Sequence, residues 1–84
     1  MGIEKIKKDL REVRRLSRHK INCGLVDFYR KAFEKLPPLE REVMQNCYIK
    51  GDPFYICANK LKYSEVQIYR IIKKGVKKLA KEFC

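Results

Sequence analysis

The sequence lacks the features that mark several common classes of protein. It contains no tryptophan, and its 4 glycines form no glycine-rich phosphate loop. No apolar run approaches the roughly 20 residues that a helix needs to span a bilayer. No signal-peptide pattern is present at its start. These absences predict a cytoplasmic protein that does not enter a membrane.

Residues that carry out catalysis are also scarce. His19 is the single histidine of the chain. No pair of carboxylates is spaced for acid and base catalysis, and no nucleophile motif occurs. We therefore expect a protein that is not an enzyme and that needs no cofactor.

The cysteines do not form a zinc framework, because their spacing is long and irregular and no C-x-x-C pair occurs. Cys23 follows His19 by four residues, which places both on one face if the stretch is helical. One such pair is weak evidence for a metal, so we expect no metal site. In a reducing cytosol, thiols pack as small apolar side chains. The other cysteines are Cys47, Cys57 and Cys84.

Acidic residues are few in comparison with basic ones. The 84 residues include 21 Lys and Arg against 10 Asp and Glu, which gives a net charge of +11. Such an excess attracts polyanions and is typical of a nucleic-acid binder. A chain of this length supports a single core, because it buries only about 60% of the surface that its unfolded form exposes.

The hydrophobic pattern predicts an all-α protein. Apolar residues recur at three- and four-residue steps, and no segment has the two-residue period of a strand. Pro38 and Pro53 suit the first turns of helices, and Gly51 suits a helix end. We expect a small helical bundle of about five helices with a C-terminal helix-turn-helix. The predicted helices cover residues 3–18, 24–36, 38–50, 53–61 and 64–82.

The N-terminal part, residues 1–35, is predicted to contain basic amphipathic helices. One side of the first helix is apolar and the other is crowded with Lys and Arg. The apolar side has two possible partners, which are the rest of this domain or a second copy of the chain in a short coiled coil, as in a homodimer. This apolar side consists of Ile3, Ile6, Leu10, Val13 and Leu16.

The C-terminal part, residues 36–84, has the proportions of a helix-turn-helix DNA-binding domain. A short helix, a tight turn and a longer helix follow one another over residues 53–74. Ser64 is a natural N-cap of the longer helix, and Gln67 completes a capping box. The residues expected to hold these helices together are Leu39, Val43, Ile56, Ala58, Leu61, Ile68, Ile72 and Val76.

The outward face of the last helix carries side chains suited to base edges. Gln67 can bind adenine with two hydrogen bonds, and Arg70 can do the same with guanine. Glu65 can accept a hydrogen bond from cytosine, and Val66 can pack on a thymine methyl group. Tyr69 also points outward. Phosphate contacts are expected from Lys60, Lys62, Tyr63, Lys73, Lys74, Lys77 and Lys78.

A simpler interpretation of these residues is a solvated surface. Basic faces of C-terminal helices often contact only water, and Tyr63 and Tyr69 more often cover the edge of a core than stack on bases. The capped helix, the tight turn and the net charge together favour the DNA-binding interpretation.

The segment "LPPLEREVMQNCYIKGDPFYICANKLKYSEVQIYRIIKKGVKKLAKEF" (residues 36–83) resembles region four of bacterial sigma factors. The shared pattern includes L-P-x-x-E-R-x-V, a short helix with a central alanine, a capped recognition helix and a K-K-L ending. The Y-S-E-V-Q-I-Y-R segment is similar to that of phage transcriptional regulators of the ArpU/RinA type. Gly75 stands where the pattern usually has alanine.

This resemblance implies recognition of promoter DNA in the major groove and contact with bacterial RNA polymerase. The groove contacts of the family fall on Glu65, Val66, Gln67, Tyr69 and Arg70. The other sigma regions do not accompany this segment, so an accessory activator or repressor of bacteriophage or mobile-element type is expected.

A second hypothesis is a basic helical protein that docks RNA polymerase or another acidic partner without reading DNA sequence. The dependence of binding on salt and on DNA sequence distinguishes the two hypotheses.

Overall fold

The computed structural model describes residues 2–83, which form five α-helices and no strand. The prediction of a small all-α bundle is confirmed. The third helix continues directly into a π-helical segment, Gln45–Ile49. The helices are α1 (Ile3–Arg18), α2 (Gly24–Phe33), α3 (Pro38–Met44), α4 (Phe54–Leu61) and α5 (Glu65–Glu82).

The predicted helix boundaries are close to the observed ones, except that α2 ends early. It ends at Phe33 rather than at residue 36. After Phe33 the backbone tightens, and Leu36 donates its N–H to the Phe33 carbonyl at 3.0 Å. Glu34 and Lys35 make the same three-residue bonds, to the carbonyls of Lys31 and Ala32, so α2 ends in the tight turns that are frequent at helix C-termini.

The apolar side of α1 is buried within its own domain. Ile6 and Val13 are fully buried and Leu10 is 1% exposed, in one core with residues of the other four helices. Of the two partners considered for this side, the structure shows packing on the same domain. Ile3, at the start of the helix, remains 37% exposed.

The predicted core is correct in α5 and partly wrong in α3 and α4. Leu39 is 40% exposed, because α3 turns Glu40, Val43 and Met44 inward instead. Ile56 and Leu61 are only half-buried. In α4 the fully buried residue is Cys57, an apolar position of the helix that the predicted core did not include. The predicted core residues that are buried are Val43, Ala58, Ile68, Ile72 and Val76.

Two buried carboxylates tie the helices together. Asp9 of α1 accepts a hydrogen bond from the Tyr29 hydroxyl of α2 at 2.8 Å and pairs with Lys5 at 3.0 Å. Burial, with this hydrogen bond, raises the pKa of Tyr29 far above its ordinary value, so the hydroxyl keeps the proton that it donates. Glu40 of α3 pairs with Lys78 of α5 at 2.6 Å. These contacts fix α1 and α5 against the central helices.

Two glycines occupy different environments. Gly51 has a φ of 75°, and a Cβ built there would lie 2.7 Å from Cγ of Arg18. Gly75 lies inside α5, where a Cβ would meet Sδ of Met44 at 3.4 Å, an ordinary contact with a flexible side chain. Gly51 is therefore required by the turn, whereas Gly75 is not required by α5.

Replacing Gly75 with alanine is expected to stabilise the protein by about 0.5 to 1 kcal/mol, because alanine is the better helix former. Gly51→Ala is the matched control and is expected to destabilise the protein, because its backbone conformation and the contact with Arg18 both oppose a side chain. Urea denaturation measures both free energies of unfolding. A destabilised Gly75→Ala variant would mean that α5 packs more tightly on Met44 than described.

Candidate nucleic-acid interface

The connection between α4 and α5 is a tight turn of residues 62–64. Lys62 ends α4 in the left-handed conformation, with a φ of 60°. Tyr63 then donates its N–H to the Ala58 carbonyl at 2.9 Å, a bond typical of a helix C-terminus. The chain is thereby redirected into α5 within a few residues, as in a helix-turn-helix.

The N-terminus of α5 is closed by the predicted capping box. Ser64 Oγ accepts a hydrogen bond from the Gln67 backbone N–H at 3.2 Å, and Gln67 Oε1 accepts one from the Ser64 N–H at 2.9 Å. Both bonds satisfy backbone donors that a helix start leaves unpaired. The first turn of α5 is therefore well defined although its outer side is open to solvent.

The capping box changes the role expected of Gln67. A bidentate contact to adenine needs the side-chain carbonyl oxygen as well as the amide nitrogen. That oxygen is occupied by Ser64. Gln67 must weaken its cap to read a base, whereas Arg70 is exposed and has no ion pair among residues 2–83.

Four of the five residues predicted to contact bases lie together on one exposed side of α5, and Gln67 is exposed on the neighbouring side. Val66 is 58% exposed and Tyr69 is 54% exposed, while Ile68 between them is fully buried. Helical geometry places positions 65, 66, 69, 70 and 73 on adjacent turns of one side. The exposed residues of this group are Glu65, Val66, Tyr69, Arg70 and Lys73.

The predicted phosphate contacts fall into three groups. Lys60 pairs with Asp52 at 2.7 Å and Lys78 pairs with Glu40, so their charges are partly compensated. Tyr63 is half-buried against the core. The remaining lysines are exposed and make no salt bridge within the described chain. They are Lys62, Lys73, Lys74 and Lys77.

The structure adds α1 to the surroundings of α5. The guanidinium carbon of Arg14 lies 5.0 Å from the centre of the Phe54 ring in α4, within the range of a cation–π contact. The Phe54 ring in turn meets the Tyr69 ring edge-on, with centres 4.9 Å apart and an interplanar angle of 87°. The basic side of α1 was predicted from the sequence, but its position beside α5 was not.

A groove of about 710 Å³ lies between α1 and α5. Its floor is formed by apolar residues and its walls carry positive charge from both helices. We refer to it as the α1–α5 groove. The basic residues that line it are Lys7, Arg11, Arg14, Lys73 and Lys77.

The cysteines of the described chain are free thiols. Cys47 and Cys57 are fully buried, and burial raises the pKa of both. Cys23 is half-buried, and Cys84 lies outside the described residues. Within residues 2–83, no group of three or more His, Cys, Asp or Glu side chains is arranged to hold a metal.

Comparison of the chain with protein-family models, with curated proteins and with solved structures found no match. No helix in the described part of the chain combines the length and the apolar character that crossing a membrane requires.

The rotation of α5 about its axis decides which residues can meet a ligand, and a pair of substitutions tests it. Ile68→Ala is expected to lower the free energy of unfolding by about 2 to 5 kcal/mol, because Ile68 is fully buried. Val66→Ala, two residues away on the exposed side, should change it by less than about 0.5 kcal/mol. Denaturation followed by circular dichroism measures both. Equal effects at the two positions would show that the exposed side of α5 is assigned to the wrong residues.

Proposed function

We propose that this protein binds double-stranded DNA in a sequence-specific manner and regulates transcription. In this proposal the N-terminal half of α5 lies in the major groove. The main support for this proposal is the α4–turn–α5 unit. Its second helix is capped, is 18 residues long and has an exposed polar side next to unpaired lysines. The major groove, about 12 Å wide, accepts such a helix.

Base reading is assigned first to Arg70, whose exposed guanidinium can donate two hydrogen bonds to O6 and N7 of guanine. Glu65, in the first turn, can accept a hydrogen bond from the cytosine amino group, and Val66 offers an apolar contact for a thymine methyl group. Gln67 contributes in competition with its capping contact. Its amide nitrogen is the group left for a base.

Phosphate binding is assigned to the four unpaired lysines of the turn and of α5. Lys62 lies before the helix N-terminus, where the helix dipole adds partial positive charge. Lys73, Lys74 and Lys77 follow the reading residues along α5. Contacts of this kind supply affinity and orientation without reading the sequence.

The likeness of residues 36–83 to region four of sigma factors supports the proposed role in the regulation of transcription. It favours a regulator of bacterial transcription, of the kind found in phages and mobile elements, that acts in the cytoplasm and contacts RNA polymerase. DNA binding does not depend on that likeness, because it is argued from the exposed face of α5.

Arg70→Ala tests base reading, because it removes the guanidinium that donates two hydrogen bonds to guanine, whereas a lysine could still bind O6 and N7 of the same base. We expect binding to the preferred duplex, which is selected from a random pool, to weaken by about 1 to 3 kcal/mol, with little change on random DNA. Lys74→Ala is the control for phosphate binding. It should weaken both duplexes equally and reduce the slope of log affinity against log salt by about one unit.

Fluorescence anisotropy at several salt concentrations measures these quantities. Equal losses for Arg70→Ala on preferred and random duplexes would contradict base reading by α5. In that case a basic protein that docks an acidic partner would describe the chain better.

A further inference from the structure

Four basic residues of α1 form a row that the assigned DNA contacts do not include. Lys7, Arg11, Arg14 and Arg18 are separated by four, three and four residues, which places them along one side of the helix. We refer to these four residues as the α1 row. At a rise of about 1.5 Å per residue the row is about 16 Å long.

The charges of this row are poorly compensated. The acidic residues of α1 pair mainly with bases outside it, since Asp9 contacts Lys5 and Glu12 contacts Arg15. Glu4 lies 3.9 Å from Lys7, but its side chain is 92% exposed, so this pair contributes little. The arginines of the row make no salt bridge within residues 2–83. The α1 row therefore keeps nearly its full positive charge.

The row continues the basic surface of α5. Lys7, Arg11 and Arg14 line the α1–α5 groove together with Lys73 and Lys77. A second depression of about 600 Å³ lies next to it on α1, where Arg11 and Arg14 are joined by Arg18. Positive charge thus extends without interruption from the proposed phosphate contacts of α5 along the length of α1.

The charged residues of the groove indicate which kind of polyanion fits. Its lining exposes some apolar surface, since Ile3 and Tyr69 are 37% and 54% exposed. Among the described residues that line it, however, every charged side chain is basic. These charges continue the lysines assigned to phosphate binding on α5, and repeated positive charges match the repeated negative charges of a phosphate backbone. The bound polyanion that this arrangement favours is therefore the DNA backbone.

Arg14 connects this surface to the reading helix. Its guanidinium lies against Phe54, whose ring contacts Tyr69 of α5. Its Nε atom is buried without a hydrogen-bond partner within residues 2–83. The cation–π contact thus holds the Arg14 guanidinium at the α1–α5 groove.

We propose that the α1 row is a second phosphate-contact surface, which holds the DNA backbone beside the major groove that α5 enters. This inference rests on the proposed function. Successive phosphates of one strand are about 3.4 Å apart along the duplex axis, so a row of about 16 Å can meet several of them. α1 then supplies affinity that does not depend on sequence, and the bound DNA is longer than the segment that α5 covers.

The test compares two double variants that remove the same charge. Lys7→Ala/Arg11→Ala alters the α1 row. Lys8→Ala/Lys31→Ala is the matched control, because both lysines are exposed, make no salt bridge within the described residues and lie outside the two depressions. Each variant is titrated with the preferred and with a random duplex at several salt concentrations. A thermal melt verifies that both are folded.

For Lys7→Ala/Arg11→Ala we expect weaker binding to both duplexes and a salt slope reduced by about two units, because about two fewer counterions are released. The preference for one duplex should not change. The control should keep a slope close to that of the unaltered protein. Equal slopes for the two variants would overturn this inference, including the case in which the groove binds an acidic peptide instead of DNA.

The proposed function can fail separately. If the unaltered protein shows no preference among duplexes, reading by α5 is contradicted whatever the α1 row does. If the preference is present and the two double variants have equal salt slopes, only the role of the α1 row in phosphate binding is contradicted.

Discussion

The burial of one side of α5 determines how the other helices pack on it and which of its residues face solvent. Ile68 is fully buried, and Ile72, Val76 and Leu79 continue the same side along the helix. This side packs on α1, α3 and α4. Because the inward side is fixed by the core, the outward side is fixed as well, and it carries Arg70 together with the other polar residues at the start of the helix. The capping box then keeps the first turn of α5 in place without support from the core.

The same packing makes α1 part of the domain. Its apolar side supplies Ile6, Leu10 and Val13 to the common core, and Asp9 joins it to Tyr29 of α2. Few acidic side chains face the outer side of α1, so the basic charge there is not neutralised. The excess of charge visible in the composition thus becomes a continuous surface, because the core holds α1 and α5 side by side.

Features that depend on residues close together in the chain were predictable from the sequence. The capping box of Ser64 and Gln67 depends on residues three positions apart, and its prediction is confirmed. The end of α2 was placed at residue 36, directly before Pro37, but residues 34–36 form tight turns instead of α-helix, and the hydrophobic pattern does not distinguish the two. In α4, Cys57 and Ile56 are neighbours of similar apolar character, and only packing against the other helices decides that Cys57 is the buried one.

Relations between distant segments were not predictable in this way. The contact of Arg14 with Phe54 joins residues 40 positions apart, and no periodicity within either helix indicates it. The exposure of Leu39 likewise depends on how α3 is rotated against α5. The candidate DNA contacts of α5 could be proposed from sequence because they share one helix, whereas the α1–α5 groove required the tertiary structure.

Selection of bound duplexes from a random DNA pool, carried out with the unaltered protein and with Arg70→Ala, is a direct test of whether α5 reads DNA sequence. We expect the unaltered protein to enrich a short motif containing a guanine. We expect Arg70→Ala to relax the preference at that base pair while the other positions are kept. A pool without any enriched motif, or identical motifs for the two proteins, would contradict the assignment of Arg70 in α5 as a reader of DNA sequence.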